Sequence, residues 1–557
     1  MKAISADPII IRDVFSKSYI IPEFQRPYSW DKERCDNLWQ DIIDFFGENK
    51  DKKDRYFLGS IVVTPVSGTS TEALEVIDGQ QRLTSLLLLM KALRSHAETF
   101  TALEECLYIK NPETGKLMEK LRVSSHVVIN DDKDHLERII LKNETNERNF
   151  PPKCKIRENY LFFFKQIDEW LKSRGGELKN LILTLLDRVV LLPIKCDSQD
   201  DALTLFDTIN NRGMALSDID IFKARLYRNT PKCNQKAFID EWDAFEIEEL
   251  DRLFRVLMHI FRAEENIRSK ETGIRAFFME KSKKWANSRL NDYQDVMNRL
   301  WVLHSVEEWY GSDEITGLWK IMETYPNQFW QYPLYVFLHK HGAVHSTTGE
   351  FELSARKTKQ FIALLEATVK FFFIKGLVHN TSNSVKDTVF HVCADIEKEV
   401  DFLSRFSSNL KGDYERLSLR LQEKHFVLGR YLPGLVLLSS YLNPKQSKAS
   451  FSELVLGKYH IEHILPKTGN HYDGWTDEMY KEQLNSLGNL IPLPDKINIA
   501  AKNEFFKKKK AIYRKSKIKI QDAIDVARLR EWTPEAVVRQ QEIKVSRLLE
   551  WLKKPIR

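Results

Sequence analysis

Short apolar runs of β character and long amphipathic stretches divide this chain unequally. Up to about residue 230 the two alternate. Asp54–Val63 and Leu74–Ile77 carry β-branched and aromatic residues and end in turn-forming ones, which predicts strands. Asp78-Gly79 follows the second run directly, and Gln80–Met90 has helix-favouring composition, so a strand–turn–helix unit is expected there. A further β-branched run, Arg188–Ile194, precedes Asp201–Ile209, whose apolar spacing is helical. Asn210–Gly213 breaks that helix, and Ser217-Asp218-Ile219-Asp220 resembles a capping box opening a helix over Ile221–Arg228. The segment 1–230 therefore reads as an α/β domain. From 231 to 440 the pattern is long, amphipathic and poor in Gly and Pro, which predicts a helical bundle. The turn-rich Ser439–Lys445 marks the last boundary, leaving 441–557 as a third domain, and the class is multidomain α+β.

Composition narrows the class. With 43% hydrophobic and 29% charged residues in 557, the chain fits folded globular domains rather than a disordered or fibrous protein. Its longest apolar runs, Leu86–Met90 and Phe371–Ile374, fall far short of the roughly 20 residues of a membrane span. The N-terminus lacks the apolar core of a secretory signal, and the six cysteines form no C-x-x-C pair, so a reducing cytoplasm is expected. The net charge of +6 is small for the length, but it is uneven: residues 441–557 carry 23 Lys/Arg against 14 Asp/Glu, while the first 440 are slightly acidic. Any nucleic-acid contact is thus expected in the C-terminal part.

The sharpest chemistry lies there. Tyr459-His460-Ile461-Glu462-His463-Ile464-Leu465-Pro466 is followed by Leu487-Gly488-Asn489-Leu490 and then by Asp495-Lys496-Ile497-Asn498. Glu462 can ligate a hard cation, His463 can take a proton from water, and Asn498 offers a neutral oxygen ligand. Asn489 could hold His463 in the tautomer that deprotonates water. Mg²⁺ binds through one or two protein oxygens plus waters and substrate phosphate, so a sparse set is enough. Strand alternation opposes this grouping, because Glu462 and His463 would point to opposite faces unless the strand bends. Singly, each residue also reads as an ordinary turn or partly buried side chain.

Taken together these motifs resemble the HNH (ββα-metal) nuclease motif in its H-N-N form. The resemblance implies His463 as general base, Glu462 and Asn498 as ligands of a divalent metal such as Mg or Mn, and Asn489 as the orienting residue, with Asn503 a substitute for Asn498. No cysteine follows Cys393, so a zinc knuckle is not expected. Downstream, Lys507, Lys508, Lys509, Lys510 and Arg514, interleaved with Phe505, Phe506 and Tyr513, suit phosphate neutralisation. A solvated basic helix is the alternative reading of that cluster.

The N-terminal part supplies four blocks: Ile21–Trp30, Tyr56–Ile61, Val76–Thr84 and Phe206–Gly213. In the third, a glycine turn feeds a helix start with Gln80, Gln81, Arg82 and Thr84 nearby, an arrangement suited to an anion. No P-loop occurs. The four blocks in this order resemble the N-terminal domain of GmrSD-type, modification-dependent (type IV) restriction endonucleases, similar in fold to ParB and sulfiredoxin. The resemblance implies a nucleoside triphosphate site at Asp78, Gly79, Gln80, Gln81 and Arg82, with Gln25 and Arg26 as neighbours. The C-terminal motifs match the HNH-like domain of the same family, as in its fused members.

The implied function is an antiphage endonuclease that cuts or nicks double-stranded DNA carrying foreign modifications, regulated by nucleoside triphosphate binding or hydrolysis. The resemblance also implies NTPase activity. A homodimer and an RNA substrate are both compatible with the sequence. The alternative from a different class is a nucleotide-dependent DNA-binding or scaffold protein whose HNH-like unit is inactive.

Overall fold

The computed structural model describes residues 5–48, 54–66, 73–97, 100–111, 113–127, 131–197, 202, 218–269, 273–279, 289–307, 309–345, 347–379, 383–422, 429–467, 475–502, 504–515 and 518–556. The chain divides into two compact units, Met1–Ile247 with Asn287–Tyr293, and Glu248–Ala286 with Gln294–Arg557. The expected boundary near 440 does not separate two bodies. Helix Leu432–Tyr441 packs on helix Asp313–Glu323, where a Cβ on Gly317 would come within 2.8 Å of the Tyr441 ring. Arg547 donates to the Ser439 carbonyl at 2.6 Å, and Lys370 to the Lys554 carbonyl at 3.3 Å. The turn residues at 443–447 redirect the chain without opening a linker: Asn443 is buried and donates to Asp522 at 2.8 Å.

The N-terminal unit is built on a mixed seven-stranded sheet. Its strands are β1 (Ser5–Ala6), β2 (Ile9–Ile10), β3 (Tyr19–Ile21), β4 (Tyr56–Pro65), β5 (Leu74–Asp78), β8 (Val123–Ser125) and β9 (Val189–Lys195), while β6 (Tyr108–Lys110) and β7 (Leu117–Leu121) form a separate hairpin. The order is β1-β9-β4-β5-β3-β8, with β2 also on β9; β4–β9, β3–β5 and β3–β8 are parallel and the other pairs antiparallel. The expected strand–turn–helix unit is present as β5, Gly79 and α1 (Gln80–His96). Gly79 has φ +88°, and a Cβ there would lie 2.6 Å from the Ile61 side chain, so only glycine makes this turn. Leu83 and Leu86–Met90 of α1 are wholly buried against the helix Lys155–Arg174 and the sheet. A helix opens at Asp218, three residues before the expected Ile221, and runs to Asn229; Asp201–Ile209 and the block Phe206–Gly213 lie outside the described residues, apart from Ala202.

Among the described residues, the second unit up to residue 456 is helical apart from turns and the two-residue strands β10 (Ala343–Val344) and β11 (Phe351–Glu352). Its C-terminal part holds a two-stranded antiparallel ribbon, β12 (Tyr459–His463) and β13 (Leu490–Pro494), followed by helix α2 (Asp495–Ala501) packed on both strands. Helices α3 (Phe506–Lys515) and α4 (Pro534–Leu552) complete a core that includes Ile464, Ile491, Trp532 and Val537. Among the described residues, no helix is long and apolar enough to cross a membrane.

Candidate functional site

His463 ends β12 opposite Leu490, and the expected alternation holds: Glu462 faces the core while the His463 ring is only partly buried. The ring Nε2 lies 3.0 Å from Oδ1 of Asn485, an acceptor only, so Nε2 carries the proton and Nδ1 the lone pair. Burial of the ring lowers the His463 pKa first of all; the Asn485 bond opposes that shift, and the ammoniums of Lys467 and Lys509 add to it. The imidazole is therefore held neutral below the ordinary histidine range.

Asn489 does not orient His463. It is wholly buried, its Oδ1 accepts from the Leu465 amide at 2.8 Å and Trp532 Nε1 at 3.1 Å, and its Nδ2 donates to the Leu484 carbonyl at 2.7 Å. With its own carbonyl accepting from the Ile464 amide at 3.0 Å, it ties the end of β12 to the start of β13. The hydrogen bond to the His463 ring comes from Asn485, the C-cap of helix Asp477–Leu484, which sequence reasoning missed because two asparagines four residues apart offer no basis for choice. The intervening Gly488 is required by packing: a Cβ would lie 2.2 Å from the Val537 carbonyl of α4. From the same helix, buried Lys544 donates to the Leu487 and Leu490 carbonyls, and desolvation pushes its pKa down to about 8.

Glu462 departs furthest from expectation. Its Oε1 sits 2.6 Å from Lys509 Nζ and accepts from the Tyr513 hydroxyl at 3.1 Å, and the Lys509 side chain is only 1% exposed. Lys509 also donates to the His463 carbonyl at 2.5 Å. The expected metal position at Glu462 thus already holds an ammonium. Asn498 lies on α2, partly buried, and Asn503 is outside the described residues. The residues as arranged do not fit a divalent ion on Glu462, and no group of three His, Cys, Asp or Glu that could hold one occurs among the described residues. His460 is paired instead with Asp495 at 2.7 Å.

The basic cluster divides along α3. Phe506, Lys509 and Tyr513 form its buried stripe, so Lys509 is not available to a phosphate. Lys510 is turned onto the Leu529 carbonyl, whereas Lys507 and Lys508 are exposed, the latter 3.0 Å from Glu504. Arg514 is exposed and its Nε donates to the Ala527 carbonyl at 3.0 Å.

In the N-terminal unit the glutamine side chains bond to backbone groups. Gln81 accepts from the Ser29 amide at 2.8 Å and the Trp30 amide at 3.2 Å and donates to the Pro27 carbonyl at 3.0 Å, which makes it a clamp on the segment 26–30. Gln80 donates to the Arg26 carbonyl at 3.3 Å, and Gln25 to the Ile77 carbonyl at 3.1 Å. Arg82 donates to the Ser60 carbonyl at 2.7 Å and lies against Gly59, where a Cβ would come within 2.9 Å of the guanidinium. Desolvation raises the Asp78 pKa, against the Gly79 amide and the charges of Arg82 and Arg26. Gln80 Oε1 and Arg26 Nε are buried without a partner, so polar capacity remains at this site. Both line a cavity of only about 10 Å³ with Tyr28 and Asp132, too small for a nucleoside. Asp132 accepts from the Tyr28 amide at 2.6 Å, and burial pushes its pKa up to about 6.

Two family models match this chain: the GmrSD restriction endonuclease N-terminal domain over residues 11–227 and the corresponding C-terminal domain over 430–543. An uncharacterized protein of Methanocaldococcus jannaschii is 25% identical over 252 residues, which are 40% of this chain and 42% of that protein. The match thus spans less than half the length of that relative.

Proposed function

The chain belongs to the GmrSD restriction endonuclease family, and on that premise we propose that it is a DNA endonuclease whose cleavage centre is β12, β13 and α2. The order strand, strand, helix, with His463 ending β12, Asn489 in the turn just before β13 and Asn498 on α2, supports an HNH-type centre. The observation that carries the reading is the state of His463. A neutral ring with Nε2–H held by Asn485 presents Nδ1 as the base that removes a proton from water as its oxygen attacks phosphorus. Lys509 bonds the His463 carbonyl and so fixes the base, while Lys507, Lys508 and Arg514 offer cations to phosphate from the same helix. No step is routed through a metal, because Glu462 is committed to Lys509.

Foreign, modified DNA as target and control by a nucleoside triphosphate complete the proposal. The reading of the N-terminal unit as ParB-like rests on the resemblance of its sequence blocks, and its mixed sheet is in keeping with an α/β domain. For Arg26 and Arg82 to meet a triphosphate, the cavity of about 10 Å³ beside Arg26 and Gln80 has to widen, and control requires that the nucleotide bind the cleaving and idle states unequally. The test is nicking of supercoiled plasmid and of phage DNA with and without modified cytosine, each with Mg²⁺, Mn²⁺ or chelator and with or without triphosphate. Full activity in His463→Ala with an unchanged fold would refute the assignment. The engagement of Glu462 by Lys509 favours one second reading, a DNA-binding protein with an inactive centre; it predicts plasmid binding without nicks under every condition.

A further inference from the structure

The helical part of the second unit contains a cavity of about 240 Å³ that the cleavage centre does not use. Trp319, on helix Asp313–Glu323, is held edge-on by Trp330 at 5.4 Å and Tyr335 at 5.7 Å. Trp309 is held by Phe351 at 5.2 Å and Phe361 at 5.8 Å. Both rings therefore line the cavity as fixed walls. Tyr310 stands at the mouth, 52% exposed, with its carbonyl pinned by the Thr316 hydroxyl at 2.8 Å. Gly311, at φ +59°, makes that turn, since a Cβ would lie 2.9 Å from the Trp309 ring.

The charges around the cavity cancel in pairs. Arg252 is bonded to Glu307, which also accepts from the Tyr335 hydroxyl, and Lys320 lies 2.9 Å from Glu323. A charged ligand gains little from such a lining. Gln331 is the exception: its side-chain amide has no hydrogen-bond partner among the described residues, and it presents one donor group and one acceptor. The volume is below the roughly 300–1,000 Å³ of sites that enclose drug-sized ligands. Aromatic walls, neutral surroundings and a paired donor and acceptor are the requirements of one planar neutral heterocycle read at its edge.

We infer that this cavity receives a single nucleobase extruded from DNA, stacked by Trp309, Trp319 and Tyr310 and read at its edge by Gln331. The inference rests on the DNA reading above and adds a base-binding site remote in sequence from His463. An extruded base leaves the stack, and enclosure between aromatic rings compensates the lost stacking. The helical part then inspects bases while the ribbon cleaves.

The test uses the full chain. Permanganate reactivity of thymines in a bound duplex reports unstacking, and tryptophan quenching by free deoxynucleosides, including 5-hydroxymethyldeoxycytidine, reports the cavity directly. Tyr310→Ala and Gln331→Ala are chosen because neither residue is part of the core, and Ser408→Ala, at an exposed neutral position, controls for an unrelated surface change. The expected result is a reactive thymine in the wild-type complex that is lost in both variants, with nucleoside affinity weakened at least fivefold. Duplex binding without a reactive thymine, together with quenching unchanged in both variants, overturns the inference. Saturable quenching without duplex binding refutes the DNA reading and leaves the cavity established.

Discussion

Replacing Lys509 by Met tests the arrangement around His463 at its most buried point. The Lys509 and Glu462 side chains are 1% and 8% exposed and 2.6 Å apart, so water screens neither. Removing the ammonium leaves Glu462 bonded to the Tyr513 hydroxyl and strips a donor from the His463 carbonyl. Breaking a buried pair from one side costs about 3–5 kcal/mol, against about 0–1 kcal/mol for an exposed pair. Because about 1.4 kcal/mol is a factor of ten, amide exchange in β12 and β13 is expected to accelerate by more than a hundredfold. Glu462→Gln combined with Lys509→Met removes both charges and should recover most of that loss. Hydrogen exchange followed by mass spectrometry on peptides covering Tyr459–His463 and Leu490–Pro494 makes the measurement. Acceleration below about fivefold in the single variant would mean that the ion pair does not hold the ribbon, and the account of His463 positioning would fall with it.

Further expectations follow from the same geometry. Burial lowers the His463 pKa, so its ring should titrate below the usual value near 6.5 in a proton NMR titration; Asn485→Asp places a carboxylate on Nε2 and should move it upward, and no movement would remove Asn485 from its role. Gly488→Ala should cost about 1–3 kcal/mol in thermal denaturation, because the methyl meets the Val537 carbonyl rather than a side chain that can turn away. Asp132, with its folded pKa raised to about 6, binds its proton more tightly folded than unfolded, so its contribution is lost as pH rises from about 4 to 6. Asp132→Asn should stabilise the N-terminal unit by about 2–3 kcal/mol at pH 7 and by less as the pH falls toward 4; an equal gain at both pH values would refute the cause. Gln81→Leu should abolish protection of the Ser29 and Trp30 amides from exchange, since both donate to its one oxygen.

Much of this fold is readable before any coordinates. The runs at 54–63, 74–77 and 188–194 are strands because β-branched residues alternate with turn formers, and Gly79 is a turn because nothing larger clears Ile61. What the linear order hides is direction. Lys507–Lys510 reads as one basic patch, yet helical rotation sends Lys509 inward between Phe506 and Tyr513, a spacing that marks a buried stripe once the helix is drawn. Gln80 and Gln81 read as ligand groups because backbone acceptors and donors 50 residues away in the chain are invisible in a local motif. The same distance effect conceals the tie between Asn489 and Trp532 and leaves Asn485 unmarked.

The joint at residue 441 bears on how the molecule can be taken apart. Because Tyr441 fills the space over Gly317, and Arg547 and Lys370 each bond a carbonyl across the sequence boundary, the helices from Glu248 onward are the housing of the ribbon rather than a spacer before it. A fragment beginning at Tyr441 would carry every residue named at the cleavage centre and yet emerge with an uncovered apolar flank, prone to aggregate. One beginning at Glu248 would keep its walls, so the smallest autonomous piece bearing His463 is more than twice the length that its motifs alone suggest.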